Sequence, residues 1–304
     1  MPYGKLLKNS LKTVWSNKVI WLFGMLLVFF SGSGFNFANY NIIPLGGPEE
    51  PAAMSPNELA AQVAYFIDRY HLIPYIIAGI ALLVVYLIAG IFLRPLFNGT
   101  LIGLVSNAYQ GRSAGFKDGL TTGRQNMYKI LGQSILVSLP LSIVALVVIL
   151  IIALLVVLPL VQGSDPPGER VALSVVIFLI SLPVLLVIGV LVDFIGTLAA
   201  RFIVIEGKGI VDSIKTAALT FRQNLGQVFL AGLIAFGVGI AADLLIAVLF
   251  LAAGIPLVLI GTHNLVLALV MAVPLMFGML ALIGFVKAFI SAYWTYFFIT
   301  LRSK

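Results

Sequence analysis

Long apolar runs constrain this chain more than any other feature, because they are interrupted by very few charged residues. Six runs stand out: residues 19–30, 72–93, 128–160, 171–201, 225–258 and 265–301. Charged residues make up only 10% of the 304 residues, against about 25% in a soluble domain. A helix needs about 20 apolar residues to cross the hydrocarbon core, and the last five runs exceed that length. The sequence therefore predicts an all-α, polytopic integral membrane protein with six transmembrane helices.

Basic residues mark one side of the predicted membrane. They concentrate in residues 5–18, 94–129, 201–222 and 302–304. The loops on the opposite side carry only Arg69 and Arg170. Because cytoplasmic loops are enriched in lysine and arginine, both termini are predicted to be cytoplasmic. The formal net charge of +7 then reflects the basic residues that set the orientation of the chain in the membrane. We therefore expect no nucleic-acid partner.

Two stretches of twenty-two residues, at 115–136 and 209–230, resemble each other. The identical pairs are Gly115/Gly209, Asp118/Asp212, Thr122/Thr216, Leu131/Leu225, Gly132/Gly226, Gln133/Gln227 and Leu136/Leu230. Seven identities exceed the roughly two that composition alone gives. Self-similarity at a fixed period indicates a duplicated supersecondary unit.

Each copy predicts a short amphipathic helix that lies on the cytoplasmic membrane surface and leads into a hairpin of two spans. In the later copy the apolar residues recur at helical spacing, at Ile210, Ile214, Ala217, Ala218, Phe221 and Leu225. Such a helix places its apolar face in the membrane and its basic side chains among the headgroups. In both copies Leu-Gly-Gln follows the surface helix and opens a long apolar run.

A third, diverged copy is indicated at the N-terminus, where residues 10–13 echo residues 213–216. Three hairpin repeats then fill one membrane domain, with boundaries at 1–110, 111–205 and 206–304. Residues 1–34 also fit a signal peptide, with a basic segment, an apolar core and small residues. The echo favours a retained first span over that alternative.

Two further patterns concern the loops. The polar stretch 35–71 is predicted to lie on the outer side, with a short helix starting at Ser55, where a capping pattern stands. Glycines recur every four residues between Gly99 and Gly123, with one gap. This ladder indicates either close helix packing or turn glycines near Gly111, and both alternatives stay open.

Three ionisable residues stand inside apolar runs: Asp193, Asp243 and Lys287. One hypothesis is a substrate or ion path in which Lys287 is the counter-charge of an aspartate. The alternative is that each residue simply reaches an interface. Asp193 lies about 12 Å along its helix from Arg201, whereas Lys287 lies about 22 Å from the basic end of its own helix. Asp243 is predicted near the outer surface, so both aspartates cannot pair with Lys287.

Catalytic patterns are scarce in this sequence. There is no cysteine, and the two histidines, His71 and His263, stand far apart. Neither an H-E-x-x-H motif nor a phosphate-binding glycine loop occurs. The sequence therefore predicts a protein that is not an enzyme and has no catalytic residue, metal site or cofactor.

The order of a span end, a glycine-containing turn, an amphipathic helix and Leu-Gly-Gln covers residues 99–136 and again 201–233. This order resembles the membrane domain that precedes some glycerophosphoryl diester phosphodiesterases, and related uncharacterised prokaryotic six-span proteins. The resemblance implies six helices with surface elbows in the plasma membrane of a prokaryote. It brings no activity, because the chemistry of those enzymes belongs to a separate soluble domain.

The expected function is that of a membrane-embedded scaffold or lipid-interacting accessory component. Membrane lipids are the expected partners, together with a protein partner or a second copy of the chain. The alternative is a small-molecule or lipid transporter, or a membrane subunit of one, that uses Lys287 with an aspartate.

Overall fold

The structure is a computed structural model that describes residues 1–31, 65, 73–157 and 168–303. Every regular element within these residues is a helix. The helices are α1 (Tyr3–Ser16), α2 (Lys18–Ser31), α3 (Ile73–Tyr109), α4 (Phe116–Ile152), α5 (Gly168–Glu206), α6 (Ile210–Gln223), α7 (Leu225–His263) and α8 (Leu265–Arg302). A π-helical turn over Ala153–Val157 extends α4. The outer-side helix predicted from Ser55 lies outside the described residues.

Five helices, α3, α4, α5, α7 and α8, are long and apolar enough to cross a membrane. The pair α1 and α2, bent by 95° at its break, makes a sixth candidate. Length and composition therefore confirm a helical, multi-pass membrane protein, as the apolar runs predict. The helices extend past several predicted ends. For example, α5 continues beyond Arg201 to Glu206.

Two asparagines interrupt the helical chain in the same way. Asn17 separates α1 from α2, and its Nδ2 donates to the Thr13 carbonyl oxygen at 2.8 Å. Asn224 separates α6 from α7, and its Nδ2 donates to the Thr220 carbonyl oxygen at 3.1 Å. In both cases the side-chain amide is a second donor to a carbonyl oxygen that also accepts from the backbone N–H of the same asparagine. Each short helix is a separate element from the apolar helix that follows it.

The copy of the repeat at residues 115–136 differs from this arrangement. Its predicted surface helix is not a separate element, because α4 runs without interruption through residues 116–152. At the offset of the repeat, the position equivalent to Asn224 is Ile130. Ile130 has no side-chain amide that could donate to the carbonyl oxygen four residues earlier, and it is buried in the bundle. The helix therefore continues where the other two copies turn.

The helices pack in the order α7, α8, α2, α3, α4, α5, with α5 also touching α3 and α8. The short helix α1 lies on α8, and α6 lies on α5 and α4. Buried residues lie in the halves of the helices that adjoin the basic segments, as Leu101, Leu198 and Phe297 show. The other halves of α4, α5, α7 and α8 keep most of their large apolar side chains exposed. The helix bundle is thus tightly packed at one end only.

The short helix α6 packs on the bundle with part of the apolar stripe that the sequence predicts to face the membrane, since Ile214 of that stripe packs against the core. Its buried residues are Ser213, Ala217, Thr220 and Phe221. Phe221 packs against Phe194 of α5, with ring centroids 6.0 Å apart. Two residues of the apolar stripe and two hydroxyl-bearing residues therefore mediate the contact with the protein.

The glycine ladder serves both of its predicted purposes. A Cβ on Gly119 of α4 would lie 2.6 Å from Cγ of Leu104 on α3. A Cβ on Gly103 of α3 would lie 2.7 Å from Cγ2 of Thr122 on α4. Gly111 has a positive φ of 72° in the turn between these helices, a conformation that favours glycine. Close packing and the turn are therefore combined in one stretch of sequence.

Candidate functional site

A polar cavity of about 220 Å³ opens between α4 and α5, with one residue contributed by α3. Its polar lining residues are Asn98, Gln133, Ser134, Ser138, Asp193 and Thr197. Ligand sites typically combine a concave surface with a few convergent polar groups. This is the candidate functional site of the protein.

Gln133 lies where α4 meets α5. Only 3% of its surface is exposed, and its Nε2 donates to the carbonyl oxygen of Gly196 at 3.4 Å. A Cβ on Gly196 would stand 3.4 Å from the same nitrogen, so the glycine allows the amide to approach the backbone. Gln133 is not among the site residues predicted from the sequence. The available signal was its place in the repeated Leu-Gly-Gln.

Asp193, Thr197 and Arg201 stand four residues apart on α5, so they share one face of the helix. Asp193 and Thr197 line the cavity, and Asp193 is exposed. Arg201 follows one turn further along the helix. The polar face of α5 therefore extends from the cavity into the packed end of the bundle.

Arg201 is buried, with 4% of its surface exposed. Its Nη1 donates to the Thr197 carbonyl oxygen at 2.6 Å, and its Nη2 donates to the Ser291 carbonyl oxygen of α8 at 3.1 Å. The Nε hydrogen has no partner among the described residues. From the sequence, Arg201 is predicted to mark the cytoplasmic end of its span. Its guanidinium instead turns back along α5, toward Thr197.

Lys287 of α8 interacts electrostatically with Asp193, as Arg201 does. Neither cation comes within 4 Å of that carboxylate, and both ion pairs of the described residues involve Glu206 instead. Asp243 is exposed on α7 and forms no ion pair within the described ranges. Of the three residues singled out in the apolar runs, the structure thus brings Lys287 and Asp193 into one electrostatic cluster.

A second cavity, of about 470 Å³, lies between α4 and α5 further from the packed end. Its lining is almost entirely apolar and includes Ala145, Ile149, Phe178 and Leu182. Along α4, Ser134 of the polar cavity and Ile149 of the apolar cavity are fifteen residues apart, or about 22 Å. The same pair of helices therefore borders a polar compartment and then an apolar one.

Within the part of the chain that the structure describes, no three side chains of histidine, aspartate or glutamate converge as metal ligands. No protein-family model matches the chain, and neither a curated protein nor a solved structure matches it. The class of protein is therefore defined by the fold and the candidate site alone. The chain is a helical, multi-pass membrane protein with a polar cavity between two of its apolar helices.

Proposed function

We propose that this protein is a non-enzymatic membrane component that binds one lipid molecule between α4 and α5. The observation that supports the proposal is the sequence of compartments along this helix pair. A lipid has a polar headgroup joined to long apolar chains, and the two cavities offer a polar and then an apolar environment in the same order. The apolar cavity, at about 470 Å³, falls within the range of roughly 300–1,000 Å³ that ligand pockets occupy.

The polar groups of the site suit a headgroup that accepts and donates hydrogen bonds. Asn98 and Gln133 supply amides, Ser134 supplies a hydroxyl, and Asp193 supplies a carboxylate. Arg201 and Lys287 interact electrostatically with this carboxylate from beyond ion-pair distance, and neither residue lines the cavity. Polar groups at membrane depth are costly unless they pair with each other or with a ligand. A bound headgroup would satisfy several of them at once.

The surface helices support the same function. On α1, Lys5, Lys8 and Lys12 are exposed, and Trp15 is 67% exposed. Lysines beside an exposed tryptophan are typical of helices that lie at an anionic membrane surface. We therefore place α1 and α6 on the cytoplasmic leaflet of a prokaryotic plasma membrane, with both termini cytoplasmic. We also propose that the chain consists of three hairpin repeats.

The alternative function is transport, and the electrostatic cluster of Asp193 and Lys287 is the observation that favours it. Replacing Lys287 by leucine separates the two functions. A lipid-binding component that does not move its ligand would keep or gain stability, because a costly charge is removed. A transporter would fold but lose transport of its substrate. The measurement is thermal unfolding together with uptake by reconstituted vesicles.

Two variants test the lipid site at its two ends. Ala145→Trp fills the apolar cavity, and Gln133→Leu removes the amide of the polar cavity. We expect the full chain, purified in a mild detergent, to retain a phospholipid in native mass spectrometry at fixed stoichiometry. Both variants should lose most of that lipid while remaining monodisperse.

Matched controls exist for both variants. Ala252→Trp places the same side chain on the exposed surface of α7. Gln227→Leu changes the repeat counterpart of Gln133, which does not line the cavity. Both controls should retain the lipid. If the cavity variants and the controls retain equal amounts of lipid, the site between α4 and α5 is not the binding site.

A further inference from the structure

Asp193 is the one ionisable residue among the described side chains that line the polar cavity. It is exposed and forms no ion pair within the described ranges, where both ion pairs involve Glu206. The lining therefore carries a carboxylate and no cation. An unpaired charge at membrane depth is costly. A positively charged group on the ligand would supply the direct partner that this carboxylate lacks.

Other polar groups of the cavity already use part of their capacity to donate hydrogen bonds. Ser138 donates its hydroxyl hydrogen to the carbonyl oxygen of Ile135 at 3.3 Å, so its oxygen is left as an acceptor. Gln133 directs its amide nitrogen to the carbonyl oxygen of Gly196 at 3.4 Å, which leaves its side-chain oxygen able to accept. An ionised carboxylate accepts hydrogen bonds and donates none. The complementary ligand group is thus a hydrogen-bond donor with a positive charge.

The two cavities also give the ligand a direction. Along α5, Leu185 of the apolar cavity and Asp193 of the polar cavity are eight residues apart, or about 12 Å. Asp193 is the nearer of the two to the packed end of the bundle, which adjoins the basic segments. A ligand that fills both cavities would point its polar tip toward the basic end and its chains away from it. A phospholipid of the leaflet at the basic end has this orientation.

We infer that the bound lipid carries a primary ammonium at the tip of its headgroup, held by Asp193 with Ser138 and Gln133 as further acceptors. This inference rests on the proposed lipid site and names the chemistry of its ligand. A primary ammonium offers three N–H donors and one positive charge, and its hydrogen bonds to a carboxylate are of the strong, charge-assisted type. A quaternary ammonium has the same charge but no N–H donor, so the site should discriminate against it.

The phosphate of the same headgroup also finds partners in the cavity. Asn98 has an amide, and Ser134 and Thr197 have hydroxyls, so each of these lining residues can donate a hydrogen bond. The headgroup that fits is therefore the zwitterionic phosphoethanolamine type. A headgroup that carries a phosphate but no amine would leave the carboxylate without its partner.

The test is a competition on the full chain in a mild detergent. Dioleoyl phosphatidylethanolamine, its N-methyl and N,N-dimethyl derivatives, phosphatidylcholine and phosphatidylglycerol are added in equimolar amounts, and bound lipid is counted by native mass spectrometry. The first four keep the same charge while the number of N–H donors falls stepwise to zero. We expect retention to fall in that order. Phosphatidylethanolamine should exceed phosphatidylcholine and phosphatidylglycerol by about fivefold or more, since charge-assisted hydrogen bonds are lost with each competitor.

Variants of the carboxylate test its part in this preference. Asp193→Asn removes the charge at nearly constant shape and should reduce the ratio to near one. Asp193→Glu keeps the charge and should retain the preference, so that the pair separates lost charge from lost folding. Ser138→Ala removes one acceptor and should reduce the ratio by about twofold. Asp243→Asn is the matched control, because Asp243 is an exposed carboxylate that lines neither described cavity. It should leave the ratio unchanged.

The outcomes separate this inference from the lipid site on which it rests. Equal retention of phosphatidylethanolamine and phosphatidylcholine, or a preference for phosphatidylglycerol, overturns the primary ammonium while the lipid site stands. An unchanged preference in Asp193→Asn overturns the role of the carboxylate. Retention of no lipid by the unsubstituted chain overturns both proposals. A parallel sample with millimolar ethanolamine identifies the source of the amine, because displacement of the lipid would assign the site to a free amine and overturn the lipid headgroup.

Discussion

Gly24 of α2 and Gly284 of α8 meet backbone to backbone. A Cβ on Gly24 would overlap the carbonyl oxygen of Gly284, and a Cβ on Gly284 would lie 2.6 Å from the backbone nitrogen of Met25. Small residues at such crossings let apolar helices approach closely in a membrane. This contact joins an N-terminal helix to the C-terminal helix of the bundle. Beside the glycines, the rings of Trp21 on α2 and Phe285 on α8 pack with centroids 4.8 Å apart.

A larger residue at this crossing should destabilise the bundle. We expect Gly284→Val to lower the free energy of unfolding by about 1–3 kcal/mol, the usual cost of overpacking. Thermal unfolding in detergent measures the change. Gly278→Val on the same helix is the control, because a Cβ there meets nothing within 4 Å. Equal effects of the two substitutions would contradict the close crossing.

The amide of Asn224 stabilises the break between α6 and α7. We expect Asn224→Leu to cost about 1 kcal/mol of stability, the size of a typical helix-capping contribution. The control is Asn126→Leu, because Asn126 makes the same type of bond, Nδ2 to the Thr122 carbonyl oxygen at 3.0 Å, inside a continuous helix. Chemical unfolding of both variants tests the prediction. A larger loss for Asn126→Leu would show that the amide has no special role at the break.

The sequence predicts the membrane class and the apolar helices because these follow from composition and residue spacing alone, whereas for the glycine ladder it leaves close packing and turn glycines as alternatives. It does not predict which copy of the repeat bends, because a single position decides the outcome. The side-chain amide of Asn224 donates to the Thr220 carbonyl oxygen, whereas Ile130 at the equivalent position has no such donor, and the burial of Ile130 favours a continuous helix. The two copies share seven identities, yet these identities do not include the position that determines the bend.

The sequence also does not predict the direction in which the Arg201 side chain points. Position along the chain placed this residue at a helix end, where arginines usually reach the headgroups. Helical side chains point toward the N-terminus of their own helix, however, and α5 runs toward its basic end. Its side chains therefore lean back into the bundle, and Arg201 bonds to the carbonyl oxygen of Thr197. The neighbouring α8 supplies the second carbonyl, which only the tertiary structure reveals.

The electrostatic coupling of Asp193 and Lys287 can be measured with a double-mutant cycle. Asp193→Asn alone leaves two cations without their carboxylate and should destabilise the protein. Lys287→Leu alone removes one excess charge and should be neutral or stabilising. The double variant should be more stable than the sum of the single effects, with a coupling of about 0.5–3 kcal/mol. Repeating the cycle with Asp243→Asn in place of Asp193→Asn should give additive effects, because Asp243 pairs with no described residue.

Access to the polar cavity can be tested by chemical labelling, since the chain contains no cysteine. Ser134→Cys places a single thiol on the exposed lining of the cavity. We expect it to react with N-ethylmaleimide after lipid is removed with detergent, and several-fold more slowly after lipid is restored, because a bound headgroup blocks access and an apolar neighbour disfavours the thiolate. Ser10→Cys is the control for a buried thiol, as Ser10 is 0% exposed, and it should react slowly in both states. Equal rates for Ser134→Cys with and without lipid would show that the headgroup does not occupy this cavity, whatever lipid the rest of the bundle retains.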